Sequence, residues 1–159
     1  MPAFTISILT FLLLLSGPCS NTRPAVQKGP WSLDLKTSGG FVGVGRGNIA
    51  IDSEGKCRFV EATGPRSTGG VTGTLYARQL QPISEAVARL DPKGWSKPGL
   101  NVAAPDAFHY RLEYRSGPDK KDIATVEWYD NTADQLPADL KRLSTLLEQA
   151  MKHPCDGPP

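Results

Sequence analysis

Residues 108–115 have the sequence FHYRLEYR, in which apolar and polar side chains alternate without a break. This period of two is that of a β-strand with one buried face and one solvated face. The predicted buried set is Phe108, Tyr110, Leu112 and Tyr114. We therefore expect the chain to contain a sheet that is apolar on one side and polar on the other.

Four further segments predict strands of the same sheet. They lie at 31–36, at 41–52, around Cys57 and Phe59, and at 123–130. In the last of these, Ala124, Val126 and Trp128 share the core side. The turn residues DSEG at 52–55 connect the second and third strands, which predicts an antiparallel meander. The glycine-rich segment 63–73 predicts a loop.

Two segments have the spacing of amphipathic helices. The apolar positions of the first are Leu80, Ile83, Val87 and Leu90. Pro82 requires this helix to begin close to it. In the second, Pro137 occupies the first helical position, and the apolar stripe is Leu140, Leu143, Leu147 and Ala150. The expected fold class is α+β, an antiparallel β-sheet of about five strands with two helices packed on one face.

Composition indicates one globular domain and excludes one class of partner. The chain has 159 residues, of which 39% are hydrophobic and 21% charged, enough to bury a single core. Its 18 basic and 16 acidic residues give a net charge of +2, and no basic run is longer than Lys120–Lys121. Basic residues also fall on the sheet face opposite to the aromatic ones. We therefore expect no nucleic-acid partner.

The N-terminus has the pattern of a secretory signal peptide. Residues 4–15 are uncharged and apolar but shorter than the roughly 20 residues that span a bilayer. We expect a signal peptide at 1–20, a linker at 21–30, one domain at 31–152 and a C-terminal tail at 153–159. A buried N-terminal helix is the alternative for the apolar run. The predicted location is secreted or periplasmic, with no transmembrane segment in the mature chain.

The three cysteines agree with export. Cys19 lies at the end of the signal peptide and is either removed or lipidated, although Pro18 stands where bacterial lipoproteins have a small residue. A lipidated Cys19 would anchor the protein to a membrane. Cys57 and Cys155 then form an even pair, which predicts a disulfide, with two free thiols as the alternative. The sequence has no CxxC motif and no Cys/His cluster, so we expect no metal site.

The stretch SGGFVGVGRGN at 38–48 contains five glycines in eleven residues. Its spacing differs from GxGxxG because the third glycine falls one residue early, and it continues into a predicted strand instead of a helix. Glycine inside a strand marks a bulge or the close approach of another backbone or ligand. We interpret the stretch as a hairpin turn and a strand with little side-chain bulk, open to a partner.

The sequence contains no recognisable catalytic constellation. His109 is predicted on the polar strand face beside Arg111 and Glu113, and neither a nucleophile nor a second acid accompanies it. His153 lies in the predicted tail. Neither HExxH nor GxSxG occurs. Turn or helix-cap roles account for Asp106, Asp130 and Asp134. We therefore expect no enzyme activity, no catalytic residue and no cofactor.

The order of several motifs resembles the emfourin family, the protealysin inhibitors. These small proteins block thermolysin-like zinc peptidases. The motifs are SGGFVG at 38–43, DAFHYRLEY at 106–114, VEW at 126–128 and LPADLKRLSTLL at 136–147, and the resemblance extends over 31–151. The signal peptide, the two added cysteines and the glycine-rich segment 63–73 depart from the family's pattern and indicate an exported branch.

The resemblance implies an inhibitor of thermolysin-like zinc metallopeptidases that acts by occluding the cleft. Its most distinctive stretch nominates Ser38, Gly39, Gly40 and Phe41 as the binding residues. Glycines 39–47 leave backbone unshielded beside Phe41, and such an edge can bind an extended cleft by strand addition. The alternative is a non-enzymatic secreted or envelope-associated binding module whose ligand is unknown.

Overall fold

The computed structural model describes residues 29–40, 46–61, 70–95 and 104–157. It confirms the α+β class, with six antiparallel strands in the order β4-β3-β2-β1-β5-β6 and two α-helices. The strands are β1 (Trp31–Gly39), β2 (Asn48–Asp52), β3 (Lys56–Val60), β4 (Val71–Thr74), β5 (Phe108–Ser116) and β6 (Asp122–Tyr129). The helices are α1 (Ala77–Val87) and α2 (Ala138–Lys152), and short 3-10 helices span Pro92–Gly94 and Asp130–Gln135.

The register of the sheet places the apolar side chains of β1, β2, β3, β5 and β6 on one face. Leu33 in the central strand β1 lies opposite Ile51 of β2 and Tyr114 of β5. On the next strand out, Val126 of β6 lies opposite Leu112 of β5. Since side chains alternate between faces along a strand, this register gathers the predicted apolar sets on a single side. The other side is the solvated face.

The two helices cover the apolar face, as the sequence predicts. The whole predicted stripe of α2 is buried: Leu140, Leu143, Leu147 and Ala150. In α1, Ile83 and Val87 are buried, and Leu90 is buried just beyond the end of the helix. Each large aliphatic side chain buried in this way contributes about 1.5–3 kcal/mol of transfer free energy. Neither α1 nor α2 is long and apolar enough to cross a membrane.

Pro82 lies further inside α1 than the sequence suggests. The helix begins at Ala77, so Pro82 falls in its second turn, where its ring lacks the N–H that would bond the carbonyl of Arg78. At the start of α1 the backbone N–H of Tyr76 donates to Oε1 of Gln79 over 3.2 Å. The buried residues after Pro82 hold the helix against the sheet, so packing offsets the missing hydrogen bond.

The sixth strand, β4, lies where the sequence predicts the end of a loop. Val71 pairs with Phe59 and Gly73 pairs with Cys57, so the prediction of a loop over 63–73 is wrong for Val71–Gly73. Residues 62–69 lie outside the described ones. The four residues of β4 are mostly exposed and have no apolar alternation. This short edge strand forms because its backbone is hydrogen-bonded to β3.

The C-terminal segment is attached to the β4 edge of the sheet. A disulfide joins Cys57 of β3 to Cys155, with a Cα–Cα distance of 5.3 Å, in agreement with the predicted pair. The backbone N–H of Gly157 donates to the carbonyl of Thr74 over 2.8 Å, and the Thr74 hydroxyl donates to the Gly157 carbonyl over 3.0 Å. The sequence assigns 153–159 to a tail, and within the described residues Gly157 forms a β-bridge with Thr74 at the end of β4.

Candidate functional site

Thr37 organises the base of the connection between β1 and β2. Its hydroxyl donates a hydrogen bond to the Gly47 carbonyl over 2.7 Å and accepts one from the Arg46 backbone N–H over 2.6 Å. Its own backbone N–H donates to Oδ1 of Asn48 over 3.1 Å. A buried hydroxyl needs such partners, because an unpaired one would be destabilising. Thr37 therefore ties the end of β1 to the start of β2.

Gly39 and Gly40 lie directly against the start of β5. Their φ angles are +89° and +81°, and the Gly40 N–H donates to the Ala107 carbonyl over 3.2 Å. A Cβ at residue 40 would lie 2.8 Å from the ring of Phe108. The glycines thus permit a close backbone approach, as the sequence predicts, but the neighbouring chain at these two positions is the protein's own β5.

Gly47 has the same role on the other side of the connection. Its φ angle is +104°, and a Cβ there would lie 2.9 Å from both the Phe59 ring and the Val60 carbonyl oxygen. L-residues with side chains rarely adopt this backbone region, and the space beside it is filled. Close packing and a positive φ angle therefore account for three of the five glycines in 38–48. The other two lie in 41–45, outside the described residues.

Arg46 connects this base to the sheet and to α2. Its guanidinium carbon lies 4.5 Å from the ring centroid of Phe108 and 6.0 Å from that of Tyr110. Its Nη1 lies 3.5 Å from Oε2 of Glu148 on α2. A cation over an aromatic face is worth about 0.5–1 kcal/mol at an exposed site. The stacking and the ion pair together orient the guanidinium.

Tyr110 forms part of the floor beneath Arg46. Its ring stacks on that of Trp128 with centroids 5.2 Å apart and planes within 4°. Burial raises the pKa of Tyr110 to about 12; the Glu148 carboxylate adds to this rise, and Arg46 opposes it. Desolvation disfavours the phenolate, so the hydroxyl stays protonated and neutral at physiological pH. The neutral hydroxyl can therefore both donate and accept a hydrogen bond.

Two cavities flank Arg46. The smaller has a volume of about 190 Å³ and is lined by Thr37, Arg46, Tyr110, Glu148, Met151 and Lys152. The larger has a volume of about 600 Å³ and is lined by Arg46, Phe59, Glu61, Val71, Met151, Lys152 and Pro154. Arg46, Met151 and Lys152 belong to both. We call the two cavities together the Arg46 cleft.

Three of the four nominated binding residues, Ser38, Gly39 and Gly40, lie among the described residues. Gly39 and Gly40 pack on β5, as given above. Ser38 lies opposite His109 in the register, on the solvated face, and is exposed. Phe41 falls outside the described residues. The structure therefore places Ser38 on the other side of the sheet from the Arg46 cleft.

The solvated face carries exposed ion pairs. The Glu127 carboxylate pairs with Arg111 over 3.1 Å, and Arg115 pairs with Glu113 over 2.5 Å. Nε2 of His109 lies 3.5 Å from Oε2 of Glu127 and forms an ion pair with it only when the imidazole is protonated. Exposed pairs of this kind contribute about 0–1 kcal/mol each. Within 29–40, 46–61, 70–95 and 104–157, no group of three or more His, Cys, Asp or Glu side chains is placed to hold a metal ion.

Of the three aspartates with predicted turn or cap roles, Asp106 lies in a turn that is closed by a hydrogen bond from the Ala107 N–H to the Ala104 carbonyl over 3.1 Å. Asp130 lies in the first turn of a 3-10 helix, and Asp134 forms a side-chain ion pair instead of a cap. The Asp130 carboxylate accepts a hydrogen bond from the Asn131 backbone N–H over 2.9 Å at the start of a 3-10 helix. Asp134 pairs with Lys141 of α2, and this contact holds the pKa of Asp134 below its usual value. Both carboxylates therefore have local partners on the surface.

Sequence reasoning missed the residues that line the Arg46 cleft. Arg46 and Glu148 are 102 residues apart in the chain, and no local pattern marks either of them. Met151 and Lys152 follow the leucine stripe of α2, where the sequence indicates only the end of a helix. The glycine-rich stretch does mark the end of the sheet at which the cleft lies. The residues nominated from that stretch are not the ones that line the cleft.

Comparison with known proteins does not place the chain in a family: no protein-family model matches it, and no curated protein matches its sequence. The resemblance to the emfourin family therefore stays a prediction from the motifs quoted above.

Proposed function

We propose that this chain is a non-catalytic domain that inhibits a thermolysin-like zinc metallopeptidase by placing the connection between β1 and β2 in the peptidase cleft. One observation carries the proposal: both ends of that connection are fixed to the rest of the domain. Thr37 bonds the Arg46 and Gly47 backbone, and Gly40 bonds the Ala107 carbonyl. The emfourin resemblance supplies the class of target.

A fixed base favours an inhibitory role because binding then requires less ordering. Association loses about 0.5–1.5 kcal/mol for each flexible side chain that it immobilises. Arg46, held between Phe108 and Glu148, is already oriented in the unbound domain. A segment whose two ends are anchored in this way can bind an extended cleft with a smaller entropic penalty.

Occlusion of the cleft does not require a zinc ligand from this chain. The sequence FVGVG at 41–45 contains no His, Cys, Asp or Glu. An extended segment can instead add to a strand in the wall of the cleft through main-chain hydrogen bonds, while one side chain fills a pocket. Phe41 is the largest side chain of the segment and is the proposed anchor.

The proposal includes export to an oxidising compartment. Residues 1–20 have the signal-peptide pattern, and a Cys57–Cys155 disulfide suits a secreted or periplasmic protein. Removal of Cys19 releases the domain, whereas lipidation of Cys19 anchors it at a membrane. Either form would meet an exported peptidase.

A second candidate is a non-inhibitory secreted or envelope-associated binding module. The Arg46 cleft favours it, because its two cavities, of about 190 and 600 Å³, could accept a ligand without any peptidase. In this case the ligand would contact side chains of α2 and β3.

Inhibition assays on oxidised wild-type protein test the main proposal. The inhibition constant is measured against a panel of thermolysin-like peptidases, with a serine peptidase as the control enzyme. We expect inhibition of at least one panel member and none of the serine peptidase. If no panel member is inhibited, the inhibitor proposal fails and the binding module replaces it.

A further inference from the structure

We propose that residues 153–157 form a strap that the Cys57–Cys155 disulfide holds against the end of β4, and that a dithiol reductant releases this strap while the rest of the domain stays folded. Release uncovers the end of β4 and removes one wall of the larger cavity of the Arg46 cleft. This redox switch is built into the fold and requires no peptidase.

Two glycines make room for the strap. A Cβ at Gly157 would lie 2.6 Å from the carbonyl carbon of Leu75, and a Cβ at Gly73 would collide with the Cys155 carbonyl oxygen. Glycine allows two backbones to approach this closely because it has no side chain. The strap therefore lies directly on the backbone of β4, where Gly157 forms an antiparallel bridge with Thr74.

Among the described residues, few non-covalent contacts hold the strap in place. Gly157 and Thr74 share two hydrogen bonds, of 2.8 and 3.0 Å, and Nε2 of Gln79 donates to the His153 carbonyl over 3.4 Å. Cys155 is the one buried residue of the five. Ordering a chain segment has an entropic cost that a few hydrogen bonds at the surface do not offset. The disulfide is therefore the main attachment of the strap.

The backbone of Cys155 is strained in the attached form. Its φ angle is +58°, in the left-handed region that residues with a side chain rarely adopt. Such a conformation persists only where the surrounding structure imposes it. Once the bond to Cys57 is broken, Cys155 can leave this conformation, so backbone strain and the small number of contacts both favour release.

The opening step is a thiol–disulfide exchange with the dithiol. One thiolate of the reductant attacks a sulfur of the bridge and forms a mixed disulfide, and the other cysteine leaves as a thiolate that takes up a proton. The second thiol of the reductant then displaces the bound cysteine. The reductant ends as a disulfide and the protein as two thiols, so two electrons pass to the bridge. Cys57 and Cys155 are only 5% and 6% exposed, so attack requires local opening of the hydrogen bonds at Gly157.

Release of the strap also changes the larger cavity of the Arg46 cleft. Pro154 lines this cavity together with Phe59, Val71 and Met151. Pro154 precedes Cys155 directly and moves with the strap, whereas the other three side chains belong to β3, β4 and α2. An intact bridge thus keeps this wall of the cavity in place, and reduction opens the cavity on that side.

NMR relaxation of ¹⁵N-labelled protein tests the release. The oxidised wild-type protein is measured first, and the same sample is then reduced with dithiothreitol. We expect the backbone order parameters of Cys155 and Gly157 to fall from about 0.85 to below about 0.6, while that of Leu112 in β5 stays near 0.85. An equally ordered strap in the reduced protein would overturn the proposal. Loss of the folded Leu112 signal would overturn it too, because the bridge would then hold the whole domain.

Two variants of the strap test whether the bridge is responsible. Cys155→Ser lacks the bond and should show the low order parameters without any reductant, with no further change when dithiothreitol is added. Asp156→Ala keeps the bond and changes an exposed side chain of the strap, so it should match the wild type in both redox states. An ordered strap in Cys155→Ser, or a mobile one in oxidised Asp156→Ala, would mean that contacts other than the bridge hold the strap and would refute the switch.

Methyl signals test the effect on the cavity. The Met151 methyl signal should shift on reduction and in Cys155→Ser, because Met151 lines the cavity beside Pro154. The methyl signals of Ile123, which is 55% exposed on β6 at the opposite edge of the sheet, should not shift. No shift at Met151, or equal shifts at both residues, would contradict the opening of the cavity.

Discussion

Gly39 lies so close to Ala107 that a Cβ at residue 39 would come within 2.8 Å of the Ala107 carbonyl oxygen. The oxygen belongs to the backbone just before β5, so it cannot move aside as a flexible side chain could. Gly39 also has a φ angle of +89°. The glycine is therefore required by the contact between β1 and β5, independently of any partner.

Gly39→Ala should lower the free energy of unfolding by about 1–3 kcal/mol, because the variant combines an unfavourable backbone angle with a steric clash. Urea denaturation measures the change. Gly29→Ala is the matched control, since a Cβ there has nothing within 4 Å. Equal stability of the two variants would contradict the close packing of Gly39.

Phe41→Ala should weaken inhibition by about 2 kcal/mol or more, roughly 30-fold, because a buried aromatic anchor dominates many interfaces. The melting temperature should stay near that of the wild type. A loss of about 3–5 kcal/mol in unfolding free energy would instead place Phe41 in the core and remove it as the anchor. Both quantities are measured on the same preparation.

Replacing both Cys57 and Cys155 by alanine should lower the unfolding free energy by about 2–4 kcal/mol, because the bridge connects residues 98 apart. The reduced wild-type protein should show a similar loss in urea denaturation. Mass spectrometry after alkylation checks the premise: native protein should incorporate no label at these cysteines. Two labelled thiols would contradict the disulfide.

Ionisation of the Tyr110 phenol should lower the free energy of unfolding in strong alkali. Burial raises its pKa from 10.0 to about 12, so between these values the folded state holds a proton that the unfolded state has lost. The contribution of Tyr110 to the free energy of unfolding is fully present below pH 10. It falls by on the order of 2 kcal/mol as the pH rises toward 12.

Tyr110→Phe tests this linkage because the variant has no phenol to ionise. Urea denaturation at several pH values from 9 to 11.5 should show a smaller loss of stability in the variant than in the wild type. A parallel pH dependence for the two proteins would mean that other groups cause the alkaline loss.

N-terminal sequencing of the native protein should find a mature chain that begins between residues 17 and 21. This outcome follows from the apolar run at 4–15 and the small and turn-forming residues after it. Mass spectrometry of the same material would detect a lipid on Cys19. Intact Met1 in protein isolated from the cytosol would contradict export.

The strand and helix patterns of this chain are local, which is why they could be predicted. The alternation from Phe108 to Tyr114 determines which side chains face the core, and the stripe from Leu140 to Ala150 determines the buried side of α2. Burying apolar surface is favourable wherever the partner surface comes from, so such periodicities predict a two-layer α+β domain from the sequence alone.

Edge strand β4 and the Arg46 cleft depended on tertiary structure. Val71–Thr74 has no apolar periodicity and becomes a strand because the backbone of β3 offers it hydrogen bonds. Arg46 and Glu148 meet because β2 and α2 pack together across a separation of 102 residues. The sequence by itself determined the apolar faces and marked the glycine-rich connection. Only the folded chain decided which charges surround that connection, because their contacts are long-range and leave no periodic trace in the sequence.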